Sequence, residues 1–298
     1  MPIPIRYIEP VYRPPSEARS LILPLTDGCS WNRCTFCEMY TDPQKKFRAR
    51  DEAETLESIR RIGETPWGQA TRRVFLADGD ALVLPTRRLL TTLRAIRTYL
   101  PHVHRVSSYC LPRNLRKKSV TELSELADAG LKLAYVGAES GDDEILEIIG
   151  KGETFASTED ALSKLGMAGI SRSVMILNGL GGTLLSEQHA RRSAELANAT
   201  QPEFLATLVL SFPRGEARFR ANFPGWQAPG VPELLVEMEI FLSHLELCRT
   251  VFRSDHASNW LSLRGNLPQD KPALLAQLRA ALAAPESAPL RPAWARGL

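Results

Sequence analysis

With 298 residues, 44% hydrophobic and 24% charged, the chain has ample core-forming side chains, which excludes a disordered protein, a collagen and a small disulfide scaffold. Its 37 basic and 34 acidic residues leave a formal charge of +3, too balanced for polyphosphate binding to be its main business, so nucleic acid is not indicated. The opening MPIPIRYIEP puts prolines, Arg6 and Glu9 where a secretory signal is apolar, and the longest uncharged stretch, residues 173–186, is short for a membrane span. The expectation is a cytoplasmic protein with no membrane partner. Five cysteines, three of them within nine residues, then point to metal or redox chemistry rather than to disulfides.

Residues 1–20 hold five prolines and cannot continue a helix or a central strand, so they read as an extended arm. Residues 21–212 alternate short apolar runs with amphipathic stretches, the pattern of six βα units on a parallel sheet. The strands are expected at 21–26, 73–77, 105–110, 132–137, 171–177 and 204–212, most of them nearly continuous in apolar residues, as when both sheet faces are buried. Helical spacing follows in Leu56, Ile59 and Ile62, in Leu89, Leu93, Ile96 and Leu100, in Leu123, Leu126 and Ala127, and in Ala161, Leu162, Leu165 and Ala168. Ser119 with Glu122 reads as a capping box, and Gly130 ends that helix. Residues 213–298 read as an extension that closes the barrel. Pro232 opens a helix to about Leu247, TVFRSDHASNW is a polar segment, a last helix runs near 270–283, and the tail PESAPLRPAWARGL frays.

The strongest chemical signal is TDGCSWNRCTFCEMY, where Cys29, Cys34 and Cys37 follow directly on the first strand. Thiolates this close in sequence converge on one centre, and a loop at the C-terminal end of a parallel strand is where barrel enzymes keep their chemistry. No fourth Cys or His lies nearby, so three ligands leave one coordination position open. A zinc site completed from a distant part of the chain and plain thiol redox chemistry remain as alternatives.

On these residues the chain resembles the radical S-adenosylmethionine (radical SAM) superfamily. The family's usual spacing is three and two residues, with an aromatic before the last cysteine; here the gaps are four and two, and Phe36 stands in the aromatic position. The flanking text, YRPPSEA before the loop and CTFCEMY within it, resembles one group of that superfamily. The resemblance implies an α/β fold, a partial (β/α)6 TIM-like barrel with a C-terminal helical extension. It implies a [4Fe-4S] cluster held by Cys29, Cys34 and Cys37, with S-adenosyl-L-methionine (SAM) on the fourth iron. Reduction by a donor such as flavodoxin or ferredoxin would cleave SAM to methionine and a 5′-deoxyadenosyl radical, which takes hydrogen from an unidentified substrate.

The same resemblance assigns SAM contacts. In ADGDAL, Gly79 and Asp80, beside Asp78, stand where relatives meet the SAM amino group, and in GAESG, Glu139 and Ser140 stand where they meet ribose or carboxylate. The fifth strand, with Ile176 and the turn of Gly179, Gly181 and Gly182, resembles the adenine side. Each also admits a plain reading as a solvated turn or strand cap. Outside the six units, Arg253, Asp255, His256 and Asn259 offer mixed donors and acceptors suited to a substrate with carboxylate or phosphate, and are expected to position it. Cys110 and Cys248 are expected in the core, and Trp31 and Tyr40 as shields around the cysteines. No second cysteine cluster and no cobalamin-binding segment is visible, so neither sulfur insertion nor cobalamin-dependent methylation is expected. An oxygen-independent coproporphyrinogen-oxidase-like activity and a zinc-stabilised binding module are the rival readings.

Overall fold

A computed structural model describes residues 5–296; residues 1–4 of the expected arm and 297–298 of the expected tail lie outside the described residues. The arm runs without helix or strand from residue 5 until a 3-10 turn at Pro15–Glu17, as Pro10, Pro14 and Pro15 dictate. There follow β1 (Leu21–Pro24), β2 (Thr26–Asp27), β3 (Arg48–Ala49), α1 (Glu52–Gly63), α2 (Pro66–Ala70), β4 (Arg73–Ala77), α3 (Thr86–Tyr99), β5 (Arg105–Tyr109), α4 (Val120–Asp128) and β6 (Leu131–Glu139). The second half continues with α5 (Asp143–Ile148), α6 (Phe155–Met167), β7 (Ser171–Asn178), α7 (Ser186–Thr200), β8 (Phe204–Val209) and α8 (Ala217–Asn222). It closes with α9 (Val231–His244), β9 (Thr250–Ser254), β10 (Leu263–Leu267) and α10 (Lys271–Ala283).

One eight-stranded sheet runs in the order β1-β4-β5-β6-β7-β8-β9-β10, while β2 and β3 form a separate antiparallel ribbon. The six expected strands are present, and β1–β4, β4–β5, β5–β6 and β7–β8 pair in parallel. A continuous apolar run marks β4, whose Val74 to Ala77 are all buried, whereas β5 buries Ser107 and Ser108 beside Val106. The local signals hold as well. In α4, Ser119 Oγ accepts from Glu122 N at 3.1 Å and the Glu122 carboxylate accepts from Ser119 N at 2.9 Å. Gly130 then stops the helix with a φ of +121°, open to glycine and strained for other residues.

The extension has the two expected helices, α9 and α10, and adds two strands between them. The segment read as polar contains β9, parallel to β8, and β10 follows it, antiparallel to β9. Burial alternates, with Thr250, Phe252 and Ser254 inward on β9 and Leu263, Gly265 and Leu267 inward on β10. A strand with one wet face carries polar residues at every second position, so a search for apolar runs passes over it. The tail is docked rather than frayed: Arg291 N donates to Trp260 O at 2.7 Å, Arg296 Nε donates to Ser258 O at 3.0 Å, and the Arg296 guanidinium stacks 3.9 Å from the Trp260 ring. Cys110 is buried as expected, but Cys248 is exposed, because α9 ends at His244 before reaching it.

Two compact units divide the described residues. The first takes Met39–Val136 and Ser163–Arg172 with the described part of Met1–Asn32; the second takes Arg33–Glu38 and Gly137–Leu162 with the described part of Ser173–Leu298. In the first, the arm is laid on the strands: Tyr7 and Val11 pack with Tyr109 and Tyr135 against Ile22, Phe75 and Ala77. Glu17, fully buried, fixes the arm's end by accepting from Arg105 Nη2 at 2.8 Å and Tyr135 OH at 2.7 Å. In the second, Ile145, Leu146, Ile149, Leu177, Leu180, Phe219, Phe223 and Trp226 form an apolar cluster. Burying each such large side chain is worth about 1.5–3 kcal/mol before entropy costs. Among the described residues no helix is long and apolar enough to cross a membrane.

Candidate active site

In the first unit the cysteine loop leaves β2 against the turn that follows β4. Gly79 has a φ of +64°, and a Cβ on it would lie 1.9 Å from the Gly28 carbonyl oxygen, so this close approach needs glycine. Asp78 is buried with every oxygen engaged: Oδ2 receives the Lys45 ammonium at 2.5 Å, Oδ1 accepts from Gly79 N at 3.1 Å, and its carbonyl accepts from the Thr26 hydroxyl. Lys45, itself fully buried, also donates to the Ile8 carbonyl of the arm. Gly79 N reaches Tyr40 OH as well, at 3.0 Å, and burial pushes the Tyr40 phenol well above its ordinary range.

Asp80 is 1% exposed. Its Oδ1 accepts from Ser30 N at 2.7 Å, and its Oδ2 accepts from the Ser30 hydroxyl and from Asn114 Nδ2, the latter at 2.8 Å. Burial raises the Asp80 carboxyl above its usual range, and these donors oppose that rise. Cys29, next to Ser30, is half-buried, and Trp31 lies under the Arg113 guanidinium, 3.6 Å from its ring centroid. The turn that the resemblance assigned to SAM is thus fastened to the cysteine loop.

In the second unit Cys34 and Cys37 are half-buried. Thr35 between them donates its N–H and hydroxyl to Ile149 O at 2.9 and 3.3 Å, Phe36 packs on the apolar cluster, and the Arg218 guanidinium donates to Cys37 O at 2.9 Å. At the end of β6, Glu139 holds a left-handed backbone, φ +67°, a costly conformation for a residue with a Cβ. Glu139 Oε1 accepts from Lys151 Nζ at 2.9 Å, with both side chains about 5% exposed. Its Oε2 is buried with no hydrogen-bond partner among the described residues. Burial works against the Lys151 ammonium, but Glu139, Cys34 and Cys37 outweigh it and hold the amine above the ordinary lysine range.

Ser140 is fully buried and turned inward: its Oγ lies 2.8 Å from His189 Nδ1 and accepts from Asp142 N at 3.0 Å. His189 Nε2 sits 2.9 Å from the Leu177 carbonyl, which can only accept, so Nε2 is the donor of that bond. Ile176 is buried in β7. The glycine turn after β7 is clamped, Gly179 N donating to Glu237 Oε1 at 2.6 Å while Trp226 Nε1 donates to Gly179 O at 3.2 Å. Burial pushes Glu237 above the usual carboxylate range, against the pull of His189, Ser186 and Gly179. Lys45, Lys151, His189 and Glu237 were not foreseen, since a lone charged residue carries no spacing signal.

The four residues expected to position substrate lie around the edge of the sheet. Asn259, buried, gives its amide to Thr207 O at 2.8 Å and Ser254 Oγ at 3.0 Å, and its Oδ1 accepts from Val209 N at 2.8 Å, so it fastens its loop to β8. Arg253 is exposed on β9 and donates to the carbonyls of Phe252 and Gly265, at 2.7 and 3.3 Å. His256 Nδ1 accepts from Ser258 N at 3.1 Å, and burial, then Arg291, holds the ring below the ordinary histidine range while Asp255 raises it.

The donor set suits the groups that the resemblance implies. Three thiols on one loop are soft ligands for iron, and a buried, unpartnered carboxylate oxygen suits a hydroxyl or ammonium donor. Among the described residues no three Cys, His, Asp or Glu side chains are gathered closely enough to hold a single metal ion, so the fit to a cluster rests on donor chemistry and chain order.

The sequence profile of the radical SAM superfamily matches residues 23–196. No curated protein matches the sequence. Among solved structures, the radical SAM methyltransferase TsrM from Kitasatospora setae, with cobalamin and a [4Fe-4S] cluster bound, is similar at 20% identity and a TM-score of 0.51, over 64% of this chain and 36% of that one. The cobalamin-dependent SAM radical enzyme OxsB aligns at 17% identity and a TM-score of 0.50, over 76% of this chain and 31% of that one. Coproporphyrinogen III oxidase (HemN) from Escherichia coli, a radical SAM enzyme, aligns at 14% identity and a TM-score of 0.55, over 75% and 52%. At these identities the likeness shows the fold, a partial TIM-like barrel, and the chain spans only about a third to a half of those proteins. Because the profile covers more than half of the sequence, the chain belongs to the radical SAM superfamily, an enzyme whose cofactors are a [4Fe-4S] cluster and SAM.

Proposed function

We propose that this enzyme cleaves SAM reductively and abstracts hydrogen from an organic substrate, with Cys29, Cys34 and Cys37 as the cluster ligands and an acidic one-electron protein such as flavodoxin or ferredoxin as reductant. When bound, the cluster supplies the electron and SAM the group that receives the hydrogen. The observation that carries the assignment of the pocket is Glu139, whose buried Oε2 lacks a partner while Lys151 occupies Oε1. A buried acceptor left open costs about 1–3 kcal/mol, and a ribose hydroxyl or the SAM ammonium removes that cost on binding. Lys151 keeps the carboxylate aimed, and the strained backbone of Glu139 fixes the direction from which a ligand approaches. Ile176, in the same unit as Glu139, supplies an apolar edge for a flat base.

Anaerobic reconstitution with iron and sulfide, followed by dithionite and SAM, tests the reading. The protein should turn brown and form 5′-deoxyadenosine, and Cys29→Ala, Cys34→Ala or Cys37→Ala should lose both the absorbance and the cleavage, since each thiolate holds one iron. Cys110→Ala and Cys248→Ala should keep both. A triple alanine variant that still bound a cluster and cleaved SAM would overturn the assignment. Deuterium passing between a candidate substrate and 5′-deoxyadenosine identifies the hydrogen donor.

A further inference from the structure

We infer that Asp80 is a positioning residue for the cysteine loop, not a SAM ligand: its carboxylate holds Ser30, and through Ser30 the peptide plane that carries Cys29. The inference rests on the reading of Cys29 as a cluster ligand. Asp80 has no oxygen to spare, since three donors converge on it, Ser30 N, the Ser30 hydroxyl and Asn114 Nδ2, and it is 1% exposed. Turning it toward a ligand would strand all three. Asn114 is in turn fixed, its Oδ1 accepting from Leu111 N at 2.7 Å, so a chain of hydrogen bonds runs from the turn after β5 through Asn114 and Asp80 to the loop.

The neighbours of Asp80 grip the same loop. Asp78 N donates to Thr26 O at 3.0 Å, Gly79 abuts Gly28, and Gly79 N donates to Tyr40 OH. The turn from Asp78 to Asp80 therefore touches the chain before Cys29, at Thr26 and Gly28, directly after it, at Ser30, and again three residues beyond Cys37, at Tyr40. A loop held at both ends before iron arrives loses less freedom when its thiolates are captured, which both speeds assembly and slows loss of the cluster. A surface turn with two aspartates has no need of such convergence.

Two measurements test this on the full-length chain. In reconstituted protein without SAM, Asp80→Ala should release iron to a ferrous chelator at least about tenfold faster than wild type, because charge-assisted contacts are lost. Ser30→Ala, which removes one donor of three, should show a smaller increase, and Asp80→Asn an intermediate one. In metal-free protein, Cys29 of Asp80→Ala should be alkylated several-fold faster than in wild type, with exposed Cys248 as internal standard and Cys34 and Cys37 unchanged. Unchanged iron release together with loss of the SAM-induced change in the cluster's electron paramagnetic resonance would overturn the inference and make Asp80 a SAM ligand. Unchanged behaviour in every measurement would overturn it too. If Asp80→Ala does not fold, Ser30→Ala carries the test. If wild-type protein takes up no cluster, the cluster assignment fails separately, and the alkylation arm still decides whether Asp80 restrains Cys29.

Discussion

Two buried lysine–carboxylate pairs stand at strand ends in this protein, and they differ in one oxygen. After β4, Asp78 spends both carboxylate oxygens on the chain itself, one on Lys45 and one on Gly79 N, and Lys45 adds the Ile8 carbonyl. At the end of β6, Glu139 spends one oxygen on Lys151 and leaves the other buried and unpartnered among the described residues. Desolvating two charges is repaid only when geometry is good and the remaining lone pairs find donors. The first pair meets that condition in the protein alone, so it is a fastening. The second does not, so it is an incomplete site that a ligand completes.

Breaking the fastening should have the largest effect. Lys45→Met leaves the Asp78 carboxylate buried without its cation, a change that costs about 3–5 kcal/mol in such pairs, and the arm loses its tie at Ile8. Urea unfolding of the metal-free protein should show this as a lower midpoint with an unchanged slope. A loss under about 1 kcal/mol would mean that Asp78 is hydrated, and the contrast between the pairs would collapse. The second pair should respond in binding more than in stability. Glu139→Gln keeps an acceptor for Lys151 but removes the charge from the open oxygen, and SAM affinity of the reconstituted protein should fall by about 10- to 150-fold, or roughly 1.5–3 kcal/mol. Saturating SAM should stabilise wild type against unfolding and Glu139→Gln far less. Equal stabilisation of the two would return Glu139 to a structural role.

These two sites also mark how far the sequence could be read. Six strands were visible because short apolar runs, most of them nearly continuous, alternate with helical spacing along the chain, and the cysteine loop was visible because three thiols in nine residues have few other uses. Glu139 and the turn after β4 could be placed, since chain order sets strand ends. Their partners could not: Lys45 lies 33 positions from Asp78 and Lys151 lies 12 from Glu139, and nothing in either local text marks a lysine as buried. Glu139's left-handed backbone and open oxygen are likewise products of tertiary packing, as are the inward turn of Ser140 onto His189 and the commitment of Asp80 to Ser30. The hairpin of β9 and β10 was hidden for another reason: Arg253, Arg264 and Asn266 on the wet face break any continuous apolar run, and Thr250 and Ser254 put polar residues on the buried face of β9.

The smallest expected effect comes from the extension, where a partly buried titratable ring serves as a control for both pairs. His256 is held below the ordinary histidine range by burial and by Arg291, with Asp255 opposing, and its Nδ1 accepts from Ser258 N, a bond that protonation at Nδ1 would abolish. A depressed folded value means that the unfolded chain binds the proton first as pH falls. Stability from this group is therefore full above the unfolded histidine value of about 6.5, and is lost as pH drops below it toward the folded value. Unfolding free energies of wild type and His256→Gln, compared between about pH 7 and pH 5, should converge as the pH falls, because only wild type loses this contribution. The iron content and SAM affinity of reconstituted His256→Gln should match wild type at neutral pH, since the ring bonds to the Ser258 turn. A gap between the two proteins that stayed constant with pH would show that protonation disturbs the Ser258 turn no more in the folded chain than in the unfolded one.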